Sequence, residues 1–214
     1  MNHRLQSPGL PTPLSITLAT CLLLALAVPA ALAQEGASSD AEKAMQEMME
    51  AMQQATAPGP HHEALADFVG DWDVELKLVM PGAPAQSSKG RSKIGWLIDG
   101  RWLEERIEGE LFGQPFESFT IRGFDSYAKN HVAVTVSSFD TAMNMVRGLV
   151  SDPSGKTATM YGFLDEYTTG ELHKPFKVTS RKIDKDHHVL EIWDLGIGEA
   201  GAPVLEYSYT RRKE

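Results

Sequence analysis

Asp71-Trp72-Asp73-Val74-Glu75-Leu76-Lys77-Leu78 alternates charged and apolar side chains without a break. A period of two puts Trp72, Val74, Leu76 and Leu78, with Met80 beyond them, on one face and Asp73, Glu75 and Lys77 on the other. That is the pattern of a half-buried strand, and Pro81-Gly82-Ala83-Pro84 ends it. Segments of the same kind recur to the C-terminus. Turn signals separate them at Asp99-Gly100, Gly113-Gln114-Pro115, Ser126 to Asn130, Asp140-Thr141, Asp152 to Gly155, Thr168 to Pro175, Asp184 to Asp186 and Gly196 to Pro203. The breaks predict about ten strands, near 71–80, 89–98, 101–111, 116–124, 131–139, 143–151, 157–166, 176–183, 188–195 and 204–212. Short turns between successive strands make an antiparallel meander, and a meander of this length removes its exposed edges by closing into a barrel. The fold class expected is therefore all-β, an up-and-down barrel. A membrane barrel would need an apolar outer band, whereas the strand after Arg101 presents Glu104, Arg106, Glu108 and Glu110 on its outer face. Roughly ten strands enclose more space than their own side chains fill, so a cavity is expected.

The residues before the meander are of two other kinds. A basic Arg4, an apolar stretch from Leu14 to Val28 and Ala31-Leu32-Ala33 before Gln34 read as a cleavable export signal over 1–33, too short an apolar run for a spanning helix. The expected location is periplasmic or secreted. Removing the signal takes the formal net charge from −9 to −10, a balance that disfavours nucleic acid and anionic lipid as partners. The single cysteine, Cys21, lies inside the signal, so the exported chain has no disulfide and depends on its core. Lipidation of Cys21 is disfavoured by Thr20 before it and by the apolar sequence that continues after it.

Residues 34–60 form a tether rich in Ala, Ser, Gln, Glu and Met, closed by Pro58-Gly59-Pro60, and the barrel domain is assigned to 61–214. Within the tether, Asp40 to Gln54 reads as a helix with Asp40 as N-cap. Met45, Met48, Met49 and Met52 make one stripe on it. A stripe of this kind normally packs, although paired thioethers also bind soft metals such as Cu(I). Residues 61–69 read as one more short helix, with Leu65, Phe68 and Val69 on one side.

Pro58-Gly59-Pro60-His61 followed by Gly70-Asp71-Trp72 resembles the opening of domain-of-unknown-function family 1579. Ser88-Lys89-Gly90, Asp99 to Glu105, Gly113 to Glu117, Gly123-Phe124-Asp125 and Tyr209-Thr210-Arg211 match that family in order and spacing. The resemblance spans nearly everything from Pro58 to Lys213 and implies a lipocalin-like, or calycin, barrel. It implies no activity, since the family is uncharacterised. Where relatives carry a Trp and an Asp in the fifth strand, this chain has Val136-Ser137-Ser138. Gly70-x-Trp72 also resembles the barrel-opening signature of lipocalins, in which the Trp plugs one end, so Gly70 and Trp72 are assigned structural roles.

Catalytic and metal chemistry find little support. There is no Gly-x-Ser-x-Gly elbow and no nucleotide-binding glycine loop, Ser137, Ser138 and Asp140 have no histidine placed with them, and Glu104 and Glu105 point to opposite faces. One barrel of this architecture holds haem through a single histidine. Here His61-His62 sits on the tether, His187-His188 in a turn, and His131 and His173 beside turns, all read as exposed, and no set of zinc ligands emerges. No catalytic residue, metal or cofactor is assigned.

Glu105 stands apart because it shares the inward side of its strand with Leu103, Ile107 and Leu111. A carboxylate there requires a partner, to be supplied by Arg122 or Arg181, or by Tyr207 or Tyr209. The expected function is binding of a small, mostly apolar molecule by Trp96, Leu103, Glu105, Arg122, Trp193 and Tyr207. The alternatives are a cell-envelope interaction module with a filled barrel and soft-metal binding by the Met stripe.

Overall fold

The computed structural model describes residues 35–79, 82–111, 113–150, 156–166, 169–196 and 203–213. The export signal read over 1–33 and the turn at 152–155 lie outside them. The chain divides into two compact units, Met1–Met45 and Gln46–Glu214, and the barrel lies wholly in the second.

Among the described residues, ten strands form one closed ring: β1 (Gly70–Leu78), β2 (Gln86–Ile98), β3 (Trp102–Leu111), β4 (Gln114–Asp125), β5 (Asn130–Ser137), β6 (Asn144–Val150), β7 (Thr157–Glu166), β8 (Glu171–Lys182), β9 (His187–Asp194) and β10 (Leu205–Arg211). Each strand pairs antiparallel with the next, and β1 pairs with β10 from Trp72↔Arg211 to Leu78↔Leu205. The alternation read at Asp71–Leu78 holds, with Trp72, Val74 and Leu76 buried and Asp71, Asp73, Glu75 and Lys77 exposed.

Three expectations need correction. The turn predicted from Thr168 to Pro175 is shorter, because β8 already begins at Glu171 and pairs Lys174 with Leu164 and Pro175 with Phe163. Pro175 pairs with Phe163 in the regular part of the ladder, close to the irregular stretch between Leu164 and Glu166. The tether helix α1 spans Glu35–Thr56, so Asp40 lies inside it rather than capping it. The four methionines of its stripe are each about half exposed or more. The outer face is also less uniformly charged than β3 suggests, since Met145, Leu149, Tyr161 and Phe163 are exposed on β6 and β7.

One end of the barrel is covered. Gly59 starts the short helix α2 (Pro60–Glu63), its N–H donating to His62 Nδ1 at 3.1 Å, and a 3-10 turn over Ala64–Phe68 follows. Leu65 and Phe68 of this turn pack on Trp72, whose indole N–H donates to the Phe68 carbonyl at 2.9 Å. Arg211 clamps the arrangement, with its guanidinium carbon 4.0 Å from the Trp72 ring centroid and its nitrogens donating to the carbonyls of Val69, Asp67 and Lys185. These contacts leave Trp72 fully buried at that end. At Gly70 a Cβ would lie 2.5 Å from Arg211 Nη1, so the close approach of the clamp requires glycine there. The last carbonyl of α1, that of Thr56, accepts from Arg101 Nη1 at 2.7 Å.

The walls elsewhere are held close by bare backbone. A Cβ at Gly148 would lie 1.8 Å from the Thr159 carbonyl oxygen of β7, whereas one at Gly95 would meet nothing within 4 Å. Gly148→Ala is expected to cost about 1–3 kcal/mol of stability through overpacking, and Gly95→Ala to be neutral or slightly stabilising. Thermal melts of the two variants check this, and equal shifts would mean that the β6–β7 approach is not as close as described.

Candidate ligand site

The inward-facing side chains form two separate apolar clusters. One comprises Leu65, Trp72, Val74, Leu76, Ile94, Leu103, Ile107, Phe116, Tyr207 and Tyr209, from β1–β4, β10 and the covering turn. The other comprises Ala133, Val146, Met160, Phe176 and Val178, from β5–β8. Leu190 and Ile192 touch both. Between them lies a cavity of about 1220 Å³, partly open to solvent, reaching from His61 and Phe68 at the covered end to Phe139, Asn144 and Lys174 at the other. This exceeds the roughly 300–1,000 Å³ typical of small-molecule sites, so the barrel is not filled by its own side chains.

Glu105 faces inward, 3% exposed, as the alternation predicts. Its Oε1 accepts from Ser92 Oγ at 2.7 Å, the Tyr209 hydroxyl also bonds its carboxylate, and Oε2 lies 3.8 Å from Arg122 Nη1. Ser92 reaches it diagonally across the β2–β3 ladder, and Arg122 diagonally across the β3–β4 ladder, where Arg122 pairs with Leu103 and Thr120 with Glu105. Arg122 lies over the Phe68 ring at 4.7 Å, while its Nε and Nη2 are buried without a hydrogen-bond partner. Burial and the neighbouring Glu105 charge both push the Tyr207 and Tyr209 hydroxyls above the ordinary phenol range, so both stay neutral donors. Thr120 and Thr135 share a hydrogen bond of 2.8 Å beside this group. At the far end Lys174 bridges Glu166 and Asp194, and its hydrogen bonds to them, Asp194 first, hold its ammonium above the usual lysine range.

Of the residues singled out in the sequence, Glu105, Arg122 and Tyr207 come together on the cavity wall. Leu103 and Trp96 face inward but belong to the packed cluster at the covered end. Trp193 borders the cavity from the other side of its strand. It touches the cavity rim, yet it pairs with Lys177, whose Nζ lies 4.6 Å from the indole centroid, while the adjacent Val178↔Ile192 and Phe176↔Asp194 pairs hold the inner face. Its ring therefore points outward. Arg181 is likewise on the outer side, bonded to Glu191 at 3.0 Å, and is no partner of Glu105.

Of the histidines, His61, His173 and His187 are exposed as read, whereas His131 is half-buried and His62 and His188 are buried. His62 is buried because its ring accepts the Gly59 N–H, and His188 is buried because it lies one ladder position inside β9, opposite Tyr209. The His188 ring stacks on Tyr209 at 3.9 Å and meets Trp72 and Phe68 edge-on, with both ring nitrogens unpartnered. Burial, reinforced by the Arg122 and Arg211 charges, pushes its pKa from 6.5 to about 2. His61 stacks on Phe124 at 4.2 Å and lines the cavity with His131, whose pKa falls to about 4 through burial and then the charges of His61, Arg122 and His62. Among the described residues no group of three or more His, Cys, Asp or Glu is placed to hold a metal ion, and no helix is long and apolar enough to cross a membrane.

This closed ten-strand barrel, with its Trp72 plug and matching turn residues, agrees with a family model that covers residues 57–211. The chain belongs to the DUF1579 family of proteins of unknown function. No curated protein matches it. Among solved structures, Rv2717c from M. tuberculosis is similar at 14% sequence identity and a TM-score of 0.52, over 72% of this chain and 99% of that one. A likeness at that identity supports the barrel fold of this DUF1579 member and nothing further.

Two predictions follow from the buried polar groups. Glu105→Ala removes the acceptor of Ser92 and Tyr209 and the counter-charge of Arg122 and is expected to cost about 1–3 kcal/mol, whereas Glu108→Ala on the exposed side of β3 should stay within about 0.5 kcal/mol; chemical denaturation separates the two. For His188, the folded pKa lies below the unfolded one, so the unfolded state takes up the proton first as pH falls below 6.5. The stability contributed by the neutral ring is intact above 6.5 and is lost progressively down to about 2, amounting to about 2 kcal/mol between pH 7 and 5. His188→Phe should keep the stack, leave no unpaired ring nitrogen and flatten the acid slope by that amount. An unchanged slope would contradict the burial of a neutral imidazole.

Proposed function

We propose that this DUF1579 member is an exported binding protein that holds a small, mostly apolar molecule between the two halves of its barrel core. The observation that carries this reading is the cavity of about 1220 Å³, with mainly apolar walls and a few convergent polar groups at Glu105, Arg122, Tyr207 and Tyr209. A large apolar cavity with a small number of oriented polar side chains is the common form of a small-molecule site. Leaving it empty would forfeit dispersion contacts along the whole lining, and an occupant restores them. The apolar character of residues 14–28 and the Ala31-Leu32-Ala33 sequence support export to the periplasm or beyond, where no cysteine is needed to hold the fold.

Native mass spectrometry of the chain purified from its own host tests both halves of the proposal. The expected result is a polypeptide beginning at Gln34 that carries a noncovalent adduct of a few hundred daltons, released on collisional activation. An adduct-free protein that also fails to enhance the fluorescence of an apolar dye would overturn the binding reading, and an intact N-terminus in the cytoplasmic fraction would overturn the export reading.

A further inference from the structure

The fold leaves two donors of Arg122 unused. Its Nη1 lies toward Glu105, whereas Nε and Nη2 are buried and without a hydrogen-bond partner. Those two nitrogens make up one edge of the planar guanidinium, with two parallel N–H bonds at the spacing of the two oxygens of a carboxylate. A lone carbonyl or hydroxyl would satisfy one donor and strand the other. Of the other cations on the wall, Lys174 is matched by Glu166 and Asp194, and Lys182 by Asp67. Glu105 does not complete Arg122 either, since its contact is 3.8 Å and its carboxylate is bonded by Ser92 and Tyr209.

Resting on the reading of the cavity as a ligand site, we propose that the ligand is a carboxylic acid whose carboxylate docks side-on against Nε and Nη2 of Arg122, with its apolar body extending between the two core clusters. The charge already present sets the class of head group. Glu105 places one negative charge beside the guanidinium, so a monoanion is accommodated with less repulsion than a phosphate dianion. Phe68 covers a face of the guanidinium from the short 3-10 turn rather than from a strand.

Fluorescence titration of the full chain with cis-parinaric acid and with its methyl ester tests the proposal. The wild-type chain should bind the acid at least tenfold more tightly than the ester. Arg122→Gln should erase that preference while still binding the ester, and Glu105→Gln, which removes the competing carboxylate, should strengthen acid binding several-fold. Equal affinity of the wild type for acid and ester, or a preference that survives in Arg122→Gln, would overturn the assignment of the head group. Should Arg122→Gln fail to fold, weaker acid binding by Glu105→Gln would overturn it instead. Binding of neither probe by the wild type would sink the cavity reading itself, and the head group with it.

Discussion

Everything in this molecule depends on the pairing of its first strand with its last. The β1–β10 ladder joins Trp72 to Arg211 and Leu78 to Leu205 across nearly the whole domain, and without it the meander would expose two unpaired edges. Closure brings a long-range entropic cost, offset where the ends meet: Trp72 is sealed by Arg211 on one side and by the turn carrying Leu65 and Phe68 on the other. The same closure fixes the interior volume, since ten strands cannot draw closer without losing hydrogen bonds. The cavity is therefore a geometric consequence of the ring, and the unequal distribution of large side chains between the β1–β4/β10 half and the β5–β8 half decides where it lies.

The polar groups inside are held by the same ladders. Glu105, Ser92 and Arg122 sit on three adjacent strands, so their separations are set by strand spacing rather than by loop conformation. Tyr209 joins them from β10, which couples the buried carboxylate to the closure of the ring. The aromatic stack beneath, Tyr209 on His188 with Trp72 and Phe68 edge-on, links the plug to the polar group through direct contact.

The strand order and most boundaries were legible because alternation and turn residues agree along the chain, and the inward side of β3 was legible because Glu104, Arg106, Glu108 and Glu110 mark the opposite side as solvent-facing. Where both faces of a strand carry apolar side chains the pattern is silent. On β9, Val189 and Trp193 alternate with Leu190 and Ile192, so the outward turn of Trp193 is decided by its pairing with Lys177, which sequence does not reveal. The burial of His188 could have been read from its spacing with Leu190 and Ile192, had the neighbouring turn signal not outweighed it. β8 runs through Pro175, a residue that reads as a turn signal in the sequence, because its pairing with Phe163 is kept. The unpaired edge of Arg122 is a tertiary property, set by a 3.8 Å contact that no local pattern encodes.

The central claim is that the barrel surrounds a ligand space and not a core waiting to pack. A crystal structure of the chain purified from its native host, without an added ligand, tests it most directly. Continuous electron density is expected between the two clusters, ending beside Arg122, within walls spaced as described. Side chains of the two clusters in mutual contact, with less than about 300 Å³ of interior space remaining, would contradict it.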